Sequence, residues 1–530
     1  MKLDSLIVLP CDTHGLYYDR SGRTATTANQ LACVDSQIDE NAVFSVLQYG
    51  AIVPPLSPWK GIHRFSPGYE FHGTKVISPV DIRDKLFNFT EDPENQANKI
   101  EEIIDSILQR NIQEQVDDEP ILLFSGGVDS GFIASRLAYL GYKKSLLVNF
   151  SFGENDQESK LAEEMANKLD LNFERVTATK ESCHCLREPG RFYDHPFADH
   201  ATEPTSELAY TIINYLGNES NRLIIDGIGA DGGFGMASKI ETWNQIDRIP
   251  KLAKNFASYI YKKALWKNKY NFEYYIGLLR RSAEMPILSA IFAQNSLGGV
   301  LYNDSPRFSI DQLLDDWVSG WAGDSLALKA VGVNLALKEA NIFSHKSLHI
   351  FESSGHKVLS PFIEIELVSA GLAYVNYWKK FEPKAPIKKS LSRHIPCNMI
   401  YRPKSAFSDP NERIFYSIEF LDYLRSAVAS NSPICHLLEK KPIIESCDKL
   451  AIGKRLPGQT LNLLWAITFT DRWYRTAQRG RSADRAQDSL SANQPVIQQP
   501  VLGGLSNSLA KHSFSHDIYY GFSDSSGGVT

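Results

Sequence analysis

The chain is short of several things that would have decided its class at once. It has no excess of basic charge: 56 Lys and Arg against 62 Asp and Glu over 530 residues leave a formal charge of −6, which argues against retention on nucleic acid or a membrane by bulk charge. It has no apolar run near the about 18 residues that a membrane-spanning helix requires. The N-terminal patch Leu6-Ile7-Val8-Leu9 is cut by Pro10 and Asp12 and is too short for a signal-peptide core. Cysteine is sparse, odd in number and scattered: seven residues, Cys11, Cys33, Cys183, Cys185, Cys397, Cys435 and Cys447. That pattern excludes a disulfide framework and fits a reducing compartment, so a soluble cytoplasmic protein is expected, with no nucleic-acid or membrane partner. Cys183-His184-Cys185 is the one metal-like cluster, but no second ligand pair at zinc spacing accompanies it, and thiols in a loop or core are the expectation there.

What is present is ordinary globular composition, 43% apolar and 22% charged, and a length that allows two to four domains at roughly 100 to 200 residues each. Residues 1–95 mix short β-like runs with turn chemistry; Pro54, Pro55, Pro58 and Pro67 with Gly61 and Gly68 make 54–71 an extended segment. From 96 to about 245, strands and helices alternate. Ile100, Ile103, Ile104, Ile107 and Leu108 fall at helical spacing, Ile121 to Phe124 reads as a strand, 132–140 as a helix, 145–152 as a strand, 159–169 as a helix and 222–229 as a strand running into glycines. The alternation predicts an α/β class with a doubly wound parallel sheet. Residues 246–475 read as mainly amphipathic helices with a Pro-containing loop over 382–410, and the Ser-, Gln- and Asn-rich tail 478–530 as largely disordered. The expected division is therefore 1–95, 96–477 and 478–530.

The chemistry is concentrated in Ser125-Gly126-Gly127-Val128-Asp129-Ser130, which follows a strand and opens a helix. Glycines there allow a tight turn whose amide N–H groups, with the positive end of the helix, face one anion. Ser125 and Ser130 add hydroxyl donors for a phosphate, and Asp129 offers the hard oxygen that Mg²⁺ prefers. No lysine follows the glycines, so this is not the GxxxxGK[ST] loop. The hexapeptide resembles the PP-loop of ATP pyrophosphatases, which split ATP between its α and β phosphates.

Further motifs narrow the resemblance. Tyr49-Gly50, the pair Pro54-Pro55, Lys60-Gly61-Ile62 and Pro67-Gly68 are similar to the interdomain segment of asparagine synthetases. Asp226-Gly227-Ile228-Gly229-Ala230-Asp231 with Phe234-Gly235 resembles their second glycine-rich loop. Ser360-Pro361-Phe362-Ile363-Glu364 looks like their Pro-Phe-Leu-Asp helix start, and Arg402-Pro403-Lys404-Ser405-Ala406-Phe407 like their Arg-x-Lys-x-x-Phe. The resemblance, which extends to β-lactam synthetases and lasso-peptide macrolactam cyclases, implies an ATP- and Mg²⁺-dependent, AMP-forming amide synthetase. It implies Asp129 and Asp231 as Mg²⁺ ligands, Lys404 on the pyrophosphate and transition-state charge, and Ser125, Gly126, Gly127, Ser130, Gly227 and Gly229 around the phosphates. Val148 and Phe150 would lie near the adenine or equally in the core.

Two departures shape the expected reaction. Position 2 is Lys2, where the glutamine-dependent members place a nucleophilic Cys, and fewer residues precede Tyr49-Gly50 than a complete glutaminase needs. Residues 1–95 are then expected to be a truncated glutaminase-like module that does not hydrolyse glutamine. Ile228 stands where the resemblance implies a proton-handling side chain, and it can neither accept a proton nor donate a hydrogen bond; His345, His349, His356, Glu352 and Glu364 are candidates to take that role. The expected substrate is a small-molecule or peptide carboxylate attacked by an amine of the same molecule, giving an intramolecular macrolactam-type cyclase. The alternatives are amidation with ammonia from a partner glutaminase and a nucleotide-binding homologue without catalysis. A precursor-peptide-processing protein is the other partner considered.

Overall fold

The computed structural model describes residues 5–33, 35–80, 82, 92–113, 120–151, 156–177, 187–199, 202–217, 221–256, 270–293, 305–375, 377, 382–402, 417–430, 432–456 and 458–491. The chain divides into two units, Met1–Arg481 and Ser482–Thr530.

The N-terminal part carries two small antiparallel sheets. Strands β1 (Leu6–Val8), β5 (Tyr69–His72) and β6 (Lys75–Pro79) form one in the order β1-β5-β6; β2 (Tyr17–Asp19), β3 (Thr24–Ala25) and β4 (Ile62–Arg64) form the other in the order β3-β2-β4. The proline-rich stretch is extended, as its composition requires, and supplies β4 and β5. This β-rich part is bound tightly to the helical region: Trp317 Nε1 donates to the Pro67 carbonyl at 2.8 Å, Tyr69 OH to the Trp317 carbonyl at 2.9 Å, and Gln48 Nε2 to Asp311 Oδ1 at 2.7 Å.

The centre is a five-stranded parallel sheet of β7 (Ile121–Leu123), β8 (Leu146–Ser151), β9 (Asn172–Thr177), β10 (Leu223–Ile225) and β11 (Lys357–Leu359), ordered β11-β10-β7-β8-β9. The strands Ile-Leu-Leu and Leu-Ile-Ile of β7 and β10 show no polar alternation because both faces of a wound sheet are covered. The chain leaves β7 toward β8 and β9 on one side and returns to β10 on the other. The strand order thus reverses beside β7, the place where an open α/β sheet leaves a crevice at its carboxyl edge.

The helices around the sheet obey the apolar spacing. The helix Pro93–Gln113 buries Ile100, Ile103, Ile104, Ile107 and Leu108 on one stripe, and its Asp105 and Glu101 hold the buried Arg136 of the helix Val128–Tyr139 at 2.6 and 3.3 Å. Residues 382–402, expected as part of a loop, instead contain the helices Ala385–Leu391 and Cys397–Ile400. Pro386 sits in the first turn of the former, where its missing N–H has no intrahelical partner to lose, so proline here opens a helix. The helix Gly458–Ser491 also runs past residue 478, where the composition changes. Among the described residues no helix is long and apolar enough to cross a membrane.

Candidate active site

Because β10 pairs with β7, with Ile224 opposite Ile121 and Ile225 opposite Leu122, the two glycine-rich loops leave the sheet side by side. The first is braced from within. Ser125 Oγ and Ser130 Oγ are 3.2 Å apart, the Gly127 N–H donates to Ser125 Oγ at 3.3 Å, and the Ser125 N–H to Ser130 Oγ at 3.3 Å. Gly126 has φ 67°, and a Cβ there would lie 2.7 Å from Ala162 Cα, so the turn requires glycine both for its conformation and for its seat on the helix Gln157–Leu169. Val128 begins the next helix, which puts Asp129 in its first turn and Ser130 on its buried side.

The second loop starts at the buried Asp226, whose Oδ1 accepts the Ile228 N–H at 3.0 Å. Burial pushes the Asp226 carboxyl up to about 6, against the hydrogen bonds from Ser360 and Ile228. The loop then enters the π-helix Asp231–Gly235, with Asp231 at its start.

Between the two loops lies Lys384, which was not foreseen. Its Nζ is 2.7 Å from both carboxylate oxygens of Asp129 and 2.7 Å from Asp231 Oδ1. Its backbone is held as well: the Lys384 N–H donates to the Phe234 carbonyl at 2.9 Å, and φ is 60°, a left-handed conformation that costs a lysine about 1 kcal/mol or more. Burial alone would lower the ammonium pKa, but the charges of Asp129 and Asp231 outweigh it and hold Lys384 above its ordinary value. Nothing in Lys384-Ala-Pro386 marks it by motif; only the tertiary fold brings it to the aspartates.

The remaining expected residues fall in different places. Lys404 and Cys183-His184-Cys185 lie outside the described residues. Arg402, of the same motif as Lys404, reaches the first loop, where its Nη2 donates to the Gly126 carbonyl at 3.2 Å and its Nη1 lies 3.6 Å from Glu158. Val148 is buried in the core and its carbonyl accepts the Phe124 N–H at 2.8 Å; Phe150 is half-buried on the same strand. Of the proton-handling candidates, His345 is buried and stacked on His195 with centroids 4.3 Å apart, and its Nδ1 lies 3.2 Å from His349 Nε2. Burial, with the neighbouring imidazoles, holds His345 well below the usual histidine range. Glu352 pairs with His14 at 3.2 Å and Glu364 with Arg110 at 3.1 Å, while His356 is buried. A buried carboxylate absent from those candidates, Glu339, instead touches the second loop: its Oε2 accepts the Gly229 N–H at 3.2 Å.

The donor set suits a divalent cation. Asp129 and Asp231 converge on one positively charged nitrogen, and Mg²⁺ is commonly held by one or two carboxylates with substrate phosphates completing the shell. Among the described residues no group of three or more His, Cys, Asp or Glu could hold a metal by itself, so phosphate oxygens would have to complete the set.

Residues 104–315, which include both loops, match the asparagine synthase family model. Over that span the chain is similar to asparagine synthases. A protein of Mycobacterium bovis whose name is that of a glutamine-hydrolyzing asparagine synthetase is 21% identical over 464 residues, 83% of this chain and 69% of its own length. Counterparts of the same name from two strains of Mycobacterium tuberculosis match to the same extent. The matched span carries Asp129 and Asp231, whereas Lys384 and Arg402 come from beyond it.

Proposed function

We propose that the chain is an ATP-dependent ligase that activates a carboxylate as its adenylate, releases pyrophosphate, and passes the acyl group to an amine. The observation that carries this reading is the convergence of Asp129 and Asp231, from the helical turns that follow adjacent strands, on Lys384 Nζ at 2.7 Å. Similarity to asparagine synthase over 104–315 supports the reaction class.

The residues divide the work by position. The Ser125 and Ser130 hydroxyls and the amides of the turn bind phosphate oxygens. Mg²⁺, when bound on Asp129 and Asp231, supplies charge neutralisation at the phosphates. Lys384, and Lys404 by resemblance, place positive charge where negative charge grows as pyrophosphate leaves, a contribution of several kcal/mol as a rough expectation. Arg402 donates to the Gly126 carbonyl and so braces the turn of the first loop.

The amine is proposed to belong to the same substrate, giving a macrolactam-type cyclisation in which tethering replaces an ammonia supply. Cys11 favours this over glutamine hydrolysis: burial, with the charge of Glu339, pushes its thiol far up, so it is not a nucleophilic thiolate. A second reading is amidation with ammonia from a partner glutaminase, for which the asparagine synthetase name of the mycobacterial relatives supports only the amidation. Incubation with ATP and candidate carboxylates, read by mass spectrometry, separates them. Loss of one water from the substrate means cyclisation, and exchange of a hydroxyl for an amino group means amidation. Absence of AMP with every candidate would leave a nucleotide-binding protein and overturn the proposal.

A further inference from the structure

The second glycine loop is held from behind by a residue that the reaction above leaves unused. Glu339 lies on the π-helix Asn334–Ser344 and is buried. Its Oε2 accepts the Gly229 N–H at 3.2 Å, and its Oε1 accepts from Asn334 Nδ2 at 3.3 Å. On the other side of the loop, Gly229 has φ 104°, and a Cβ there would meet Ile363 Cγ2 at 2.7 Å and Phe362 Cβ at 2.9 Å. Gly232, the residue after Asp231, packs on the same glutamate, since a Cβ on it would lie 3.0 Å from Glu339 Cγ. The loop is therefore gripped between the 361–363 turn and Glu339.

The π-helix is itself anchored to the N-terminal part. Lys338 Nζ donates to the Tyr49 carbonyl, and Arg64 Nη1 donates to Asn341 Oδ1 at 2.6 Å. Neighbouring residues of one wide helical turn thus reach the N-terminal part in one direction and the phosphate-side loop in the other, the kind of local widening that re-aims side chains at functional sites. A carboxylate buried close to two other acidic groups is unfavourable unless its oxygens are bonded, and the Gly229 amide is one of the two donors that bond it.

We infer that Glu339 is a positioning residue for the phosphate site: by accepting the Gly229 amide it sets the path of the loop that carries Asp231, and so the placement of Asp231 opposite Asp129. The inference rests on the proposed ATP site. It also gives the N-terminal part a role that requires no chemistry of its own, as the anchor of the helix that holds the loop.

Calorimetric titration of the full-length protein with Mg·ATP tests it, with hydrogen exchange of a peptide covering 226–235 as the local readout. Glu339→Gln keeps an acceptor for Gly229 and should bind within about threefold of the unchanged protein, whereas Glu339→Leu should bind about tenfold or more weakly and exchange faster over 226–235. Arg136→Met, which lowers stability away from the loop, shows what destabilisation alone does. Should Glu339→Leu not fold, Asn334→Ala, which frees one oxygen of Glu339, should weaken binding in the same direction. Binding by Glu339→Leu or Asn334→Ala equal to that of the unchanged protein overturns the inference, as does a Glu339→Gln loss as large as that of Glu339→Leu. If the unchanged protein itself does not bind Mg·ATP, the proposed function fails first and this inference with it.

Discussion

Lys384 Nζ is 2.7 Å from both carboxylate oxygens of Asp129, a residue 255 positions earlier in the chain, and it bridges from there to Asp231. The lysine thus neutralises two carboxylates that would otherwise repel each other across the mouth of the sheet.

Replacing Lys384 by Met should lower substrate-dependent pyrophosphate release by about 10²-fold or more, as loss of a transition-state charge partner does. The same change removes the ammonium shared by Asp129, with a side chain only 19% exposed, and Asp231, and should cost about 1–2 kcal/mol in urea denaturation after allowance for the exposure of Asp231. Release at the unchanged rate would remove Lys384 from the proposed site.

Asp226 makes stability depend on pH in a definite direction. Its folded value of about 6 lies above the ordinary 3.8, so the folded state binds the extra proton, and stability is fully present below about pH 4 and declines as pH rises through 6. Asp226→Asn lacks this decline and should exceed the unchanged protein at pH 8 by about 2–3 kcal/mol, with the gain vanishing at pH 4. Denaturation curves at the two pH values check the sign; an equal difference at both would refute the assignment.

Gly126→Ala should destabilise by about 1–3 kcal/mol, because alanine at φ 67° is strained and its Cβ would enter the space of Ala162. It should also abolish measurable Mg·ATP binding, since the turn must shift to relieve the contact. Retained affinity in titration calorimetry would mean that the turn does not hold the phosphates.

Arg136 supplies a contrast away from the chemistry. It is buried and paired with Asp105 and Glu101, whose side chains are 17% and 13% exposed; Arg136→Met removes the guanidinium from Asp105, while Glu101 keeps Arg393 at 2.6 Å, and should cost about 3 kcal/mol. Chemical denaturation reads that loss directly, and a change under 1 kcal/mol, roughly that of a surface pair, would show the network to be solvated.

The parts of the site that local chemistry specifies were legible without coordinates. Gly126 and Gly229 need left-handed backbone, and glycine between a strand and a helix announces that need in the sequence itself. Apolar runs such as Ile121–Leu123 and Leu223–Ile225 likewise announce strands buried on both faces. The helix Ala385–Leu391 was hidden because Pro386 within it and Pro383 before it read as loop signals, and a seven-residue helix offers too few turns for periodicity to correct them.

What the sequence by itself determined is the α/β alternation and the two glycine turns, each written in contiguous residues whose backbone preferences act locally. The tertiary structure alone decided that Lys384 closes the Asp129–Asp231 pair and that Glu339 backs Gly229. A lone lysine or glutamate carries no local preference that reveals its partner; its role is set by the charge and hydrogen-bond donors the packed chain places within about 3 Å of it.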